Sequence, residues 1–112
     1  MAAATLASQP RLKGLRADHM SWTGVNFHWN RARIISHVPA SPGVYAIWRA
    51  DAWIYVGETT DLLVRLLEHF EGSPPCIARQ QPTAFGFELV SGEDRVARQN
   101  GLILQLKPLC NG

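Results

Sequence analysis

Gly43-Val-Tyr-Ala-Ile-Trp-Arg49 and Trp53-Ile-Tyr-Val-Gly57 decide the fold. Both runs are rich in β-branched and aromatic residues, as strands are. Only Ala50-Asp51-Ala52 separates them, too short a connection for a crossover between parallel strands, so they form an antiparallel hairpin. Trp48 and Trp53 then face each other as a cross-strand packing pair. Downstream, Thr59, Thr60 and Asp61 offer helix-capping side chains. Leu62, Leu63, Leu66, Leu67 and Phe70 form a helical stripe, predicting a helix over about 60–71 that Gly72-Ser-Pro-Pro75 stops. Residues 76–82 read as a loop or a short turn of helix. Thr83-Ala-Phe-Gly-Phe-Glu-Leu-Val90 alternates as a third strand. Val96, Leu102, Ile103 and Leu106 predict a last helix over about 93–106, ended by Pro108. Upstream, the spacing of Phe27, Ile34, Ile35 and Val38 predicts a helix near 27–37, before Pro39 and Pro42-Gly43. The order is helix, β, β, α, β, α. This describes an α+β domain, a small three-stranded antiparallel or mixed sheet flanked by helices.

With 112 residues, the chain has room for one domain and one core. Residues 1–20 read as a flexible basic arm and 21–112 as the domain. Hydrophobic residues at 46% and charged residues at 18% exclude a disordered or collagenous chain. The longest apolar runs, such as Gly101-Leu-Ile-Leu104, are too short to span a membrane. The opening Met-Ala-Ala-Ala-Thr-Leu-Ala lacks the early positive charge and sustained apolar stretch of a secretory signal. Two cysteines, Cys76 and Cys110, make neither a disulfide framework nor a zinc signature. They are expected as small buried thiols in a reduced, cytoplasmic protein.

Charge is uneven. Residues 1–49 carry six basic side chains against Asp18 alone, whereas residues 50–112 carry five against eight acids. Nine of the eleven basic residues are arginine, whose planar fork suits phosphate. A basic first half points to a polyanionic partner, or simply to a solvated surface. On the predicted frame, Tyr45 and Tyr55 sit near matching points of adjacent strands. Arg65 and His69 are four apart and share a helix face. Gly57, two residues after Tyr55, suits a close approach to the backbone. Such donor-rich groups on one surface suit phosphate binding and proton transfer. By themselves they are equally the marks of packing tyrosines and a solvated helix face.

The spacings add more. Gly43-Val44-Tyr45 is followed by Tyr55-Val56-Gly57, then Arg65 and His69; Leu102-Ile103, Lys107-Pro108 and Cys110-Asn111 close the chain. This pattern, over residues 41–112, resembles the GIY-YIG nuclease family. The resemblance implies metal-dependent hydrolysis of a nucleic-acid phosphodiester. It implies that Tyr45 lies beside the attacking water as base or positioner. Tyr55 would orient the phosphate or assist proton transfer, and Arg65 would stabilise charge on the phosphate. His69 would assist proton transfer, and Asn111 would hold the site together. It also implies one Mg2+ or Mn2+ ion held by a glutamate of the last helix.

That glutamate belongs twelve residues before the terminal asparagine, where this chain has Gln99. A glutamine keeps the shape and loses the charge, so metal binding and cleavage are expected to be weak or absent. A deliberate disabling change and a natural loss of catalysis both account for it. Glu93 and Asp94 lie one to two turns earlier and do not replace it. Glu58 is a second departure, since some relatives carry lysine there.

Trp22, Phe27 and Trp29 beside Arg31 and Arg33 suggest a stacking and phosphate-binding strip, or an aromatic anchor for the N-terminal segment. Trp29, Arg31 and Arg33 are the candidates for nucleic-acid binding. His19, His28 and His37 lack metal spacing. A single small module covers only about 600–1,000 Å² of protein surface on DNA. Single-stranded or structured DNA is therefore expected over a long duplex, with the chain acting as a monomer or a homodimer. The alternatives to an endonuclease are a non-catalytic nucleic-acid-binding module on the same fold and, opposed by the intact site residues, a protein-interaction domain.

Overall fold

A computed structural model describes residues 9–10, 22 and 24–111. The predicted basic arm, apart from Gln9 and Pro10, and His19 lie outside the described residues. The elements are β1 (Val25–His28), α1 (Arg31–His37), β2 (Gly43–Arg49), β3 (Ala52–Thr59), α2 (Leu62–Phe70), α3 (Pro75–Arg79), β4 (Ala84–Leu89) and α4 (Asp94–Leu106). The strands form one antiparallel sheet in the order β1-β4-β2-β3. It has four strands, not the three expected. The region expected as a helix from residue 27 begins as a strand, with Phe27 opposite Phe85, and turns helical only at Arg31. Asn30 marks that change by accepting a hydrogen bond from the Arg33 amide at 2.8 Å, capping α1.

The unbroken apolar run Gly43–Trp48 is explained by β2 lying inside the sheet with both faces covered. Val44, Ala46 and Trp48 face α4, packing with Val56, Leu102, Leu106 and Trp22. Tyr45 and Ile47 face the other way, with Ile34 of α1, Leu62 and Leu66 of α2, Ile77 of α3 and Phe85. The β2–β3 register breaks between Ile47 and Trp48: Ile47 pairs with Tyr55, but Trp48 pairs with Trp53. Two residues that regular alternation would put on one face are thereby split. Trp53 packs at a tilt against Trp48, ring centroids 5.0 Å apart, on the α4 side, while Tyr55 joins Tyr45 on the α2 side.

As an edge strand, β3 needs cover for its free backbone groups. The segment after α4 supplies it. The Leu109 amide donates to the Trp53 carbonyl at 3.0 Å and the Cys110 amide to the Ile54 carbonyl at 2.8 Å. Contrary to the expectation of separate thiols, Cys110 is disulfide-bonded to Cys76 of α3. The two lie 34 positions apart in sequence, so only the packing of α3 beside the closing segment brings them together. Among the described residues, no helix is long and apolar enough to cross a membrane.

Candidate active site

The α2-facing end of the β2–β3 hairpin gathers four of the residues singled out from the sequence. Asp61 caps α2 by accepting from the Val64 amide at 3.1 Å, which fixes where the helix starts. Arg65 and His69 are then one turn apart on the helix that covers Tyr45. The Tyr45 hydroxyl and His69 Nε2 are 2.7 Å apart, and His69 Nδ1 lies 2.9 Å from the Ser73 carbonyl oxygen. A carbonyl can only accept, so Nδ1 carries the proton. In the neutral ring Nε2 is then the acceptor, and the Tyr45 hydroxyl donates to it. The Arg65 guanidinium stands beside the Tyr45 hydroxyl, close enough to act on it electrostatically, and donates from Nη1 to Glu68 Oε1 at 2.9 Å. The result is an ordered chain from Tyr45 through His69 to the Ser73 carbonyl, with Arg65 beside its outer end.

Burial sets the protonation states. Tyr45 and His69 are each 1% exposed. Desolvation holds the Tyr45 phenol well above its usual range; the neighbouring Tyr55 adds to the rise, and Arg65 opposes it. Desolvation also pushes His69 down, against the Ser73 hydrogen bond. Both groups are therefore neutral at pH 7. Tyr55 is different. Its ring centroid lies 6.1 Å from that of Tyr45 and 5.3 Å from that of His69. It is half-buried, and its hydroxyl has no hydrogen-bond partner among the described residues. Tyr55, not Tyr45, presents the accessible phenol. Gly57 pairs with Tyr45 across the strands, and a Cβ there would overlap the Tyr45 ring and hydroxyl. Only glycine lets the phenol lie across β3.

Asn111 sits behind this cluster. Its Oδ1 accepts from the Val56 amide and its Nδ2 donates to the Val56 carbonyl, both at 2.8 Å. It mimics a strand partner at the edge of β3, next to Tyr55. The closing segment thus positions the strand that carries the second tyrosine.

Residues 41–96 match the family model of the GIY-YIG catalytic domain. The chain belongs to the GIY-YIG family. The N-terminal GIY-YIG endonuclease domain of UvrC from Thermotoga maritima, in a crystal structure bound to magnesium as its catalytic divalent cation, has the same fold. Its TM-score is 0.65 at 24% identity, covering 73% of this chain and 94% of that one. A point mutant of that domain, bound to the catalytic divalent cation, gives a TM-score of 0.63 at 20% identity, covering 74% of this chain and 99% of that one. No curated protein matches the chain.

GIY-YIG nuclease membership implies a divalent metal, but the residues here do not fit one. Gln99 is a neutral amide on α4, and its Nε2 donates to Asn100 Oδ1 at 3.3 Å. Glu58, Glu68 and Glu88 are each paired with an arginine, at 2.7, 2.9 and 2.8 Å. Among the described residues, no group of three or more His, Cys, Asp or Glu side chains is placed to hold a metal ion. The ion pairs Glu58–Arg95, 37 positions apart, and Glu88–Arg98, 10 apart, join strands to α4, and neither is marked by a motif in the sequence.

The expected nucleic-acid strip is packed more than free. Trp22 is buried against Trp48, and Phe27 stacks on Phe87 and His37 and packs at a tilt on Phe85. Trp29 packs on Phe70 and Phe85 and is half-buried. Arg31 is exposed beside Glu71 at 4.0 Å, where α1 meets the end of α2. Arg33 is half-buried on α1.

Proposed function

We propose that the chain is a DNA endonuclease domain that engages phosphodiesters of single-stranded or structured DNA, with its metal-assisted cleavage strongly impaired by Gln99. The observation carrying this reading is the Tyr45–His69–Ser73 hydrogen-bond chain with the Arg65 guanidinium beside its tyrosine. Arg65, 42% exposed at its side chain, and the unpartnered Tyr55 hydroxyl take the phosphate. Movement of Arg65 onto the phosphate uncovers the Tyr45 oxygen. An attacking water gives its proton to Tyr45 as Tyr45 passes its own to His69 Nε2. The water oxygen bonds to phosphorus, the bond to the leaving oxygen breaks, and bulk water protonates that oxygen. His69, now an imidazolium, still donates from Nδ1 to the Ser73 carbonyl. Arg31 and Arg33 extend the cationic surface, and the half-buried Trp29 offers a ring for a base. Asn111 acts through the strand it holds, not on substrate.

The neutral Gln99 and the pairing of Glu58 favour a second reading, a DNA-binding module without catalysis. Both readings require DNA binding. Fluorescence anisotropy with labelled single-stranded, branched and duplex oligonucleotides tests it. Binding that favours the first two and weakens steeply with salt supports the proposal. Absence of binding to all three overturns both readings.

A further inference from the structure

Two arginines of α4 reach the sheet and end differently. Arg98 closes its fork on one carboxylate: Nε donates to Glu88 Oε1 at 2.9 Å and Nη2 to Glu88 Oε2 at 2.8 Å. That contact fastens α4 to β4. Arg95 is held by one bond, from Nε to Glu58 Oε1 at 2.7 Å. Neither of its terminal nitrogens has a partner among the described residues. Its side chain is only 17% exposed, so the group is pinned and not swept through solvent. An arginine carries five N–H donors, and this one has committed a single one of them. A fixed guanidinium with a free outer edge has the geometry that recognises phosphate oxygens.

Its place matters as much as its geometry. Glu58 directly follows Gly57, the cross-strand partner of Tyr45. The Glu58 charge is felt at the Tyr45 phenol, which it raises further. Arg95 stands four residues before Gln99, one turn away on the same helix face. The Glu58–Arg95 pair therefore joins the tyrosine end of β3 to the face of α4 that carries Gln99.

We infer that Arg95, aligned by Glu58, is a phosphate-binding residue of this site, bringing DNA the positive charge that a carboxylate-held cation would otherwise supply. The inference rests on the reading of the chain as a DNA-phosphodiester-binding domain. DNA binding is then independent of divalent ions, and Glu58 is a positioning residue that does not repel the substrate, because Arg95 neutralises it.

Anisotropy titrations of labelled oligothymidine with the full chain, in EDTA and in Mg2+ over a range of salt, test this. Equal affinity is expected in the two buffers. Arg95→Gln weakens binding about tenfold or more, the worth of a charge-assisted hydrogen bond. It also lowers the salt slope by about 0.7, one phosphate contact on a single strand. Arg95→Lys keeps the slope, and so does Arg98→Gln, whose fork is closed. If the unmodified chain binds but Arg95→Gln keeps its slope, Arg98→Gln loses as much, or binding needs Mg2+, the inference fails and the DNA reading stands. If the unmodified chain does not bind, both fail. Should a variant not fold, the Nε–H resonances of the unmodified chain decide the question. Oligothymidine shifts that of Arg95 and not that of Arg98; no shift at Arg95 overturns the inference.

Discussion

Replacing Cys76 and Cys110 together with serine removes the cross-link between α3 and the segment that seals β3. With a sequence separation of 34, the loop-closure relation gives a loss of about 4 kcal/mol at 25 °C. A small domain holds only about 5–15 kcal/mol in total, so the loss is a large share of its stability. It corresponds to a fall in Tm of roughly 15 °C. The four tryptophans, with Trp48 and Trp53 packed together in the core, report unfolding by fluorescence in urea. The double variant is expected to unfold at lower urea with an equal or steeper slope, because the uncross-linked unfolded chain exposes more surface. Reductant should bring the unmodified chain to the same midpoint and leave the variant where it is. Hydrogen exchange at the Val56 amide should also quicken, because Asn111, which accepts its proton, follows Cys110 directly. A loss below about 1 kcal/mol, or a midpoint of the unmodified chain that ignores reductant, would refute the cross-link as a stabilising element.

Two further outcomes follow from the hydrogen-bond chain. Tyr45→Phe leaves the buried His69 Nε2 without its donor, and costs about 1–3 kcal/mol of stability in a urea melt; an unchanged midpoint would contradict the assigned bond. Because burial depresses His69, the unfolded chain binds its proton first as pH falls, so stability present above about pH 6.5 declines below it. Melts from pH 7.5 to 5 should show that decline, and His69→Gln should flatten it; an equal slope in the variant would remove His69 as its source.

The hairpin was legible because the two strands and the turn that joins them are contiguous, so local composition is enough. Its register was not, since the break that separates Trp53 from Tyr55 comes from core packing on both faces. β1 was missed because it has four residues and is made a strand by β4, about sixty positions away; its Phe27 happens to fall in helical phase with Ile34 and Val38. Asn30, a helix-capping residue directly before α1, was the local signal that could have placed the boundary correctly. For the candidate site, Tyr45, Tyr55, Arg65 and His69 stood out through their spacing, and the fold brings them together. The order of the chain through them did not, because it depends on the Ser73 carbonyl and on burial. The disulfide and the Glu58–Arg95 pair join residues 34 and 37 positions apart in sequence. No spacing rule reveals such pairs before the topology is known.

The most direct test of the functional account compares the unmodified chain with Gln99→Glu on labelled single-stranded, branched and duplex DNA, with Mg2+ or Mn2+ and with EDTA. The account predicts cleavage by Gln99→Glu that needs the ion and is lost in Tyr45→Phe and Arg65→Ala backgrounds. It predicts that the unmodified chain is slower by at least about 10²-fold, the usual cost of removing one aimed electrostatic group. Strong ion-dependent cleavage by the unmodified chain, or no cleavage by Gln99→Glu on any substrate, would contradict it.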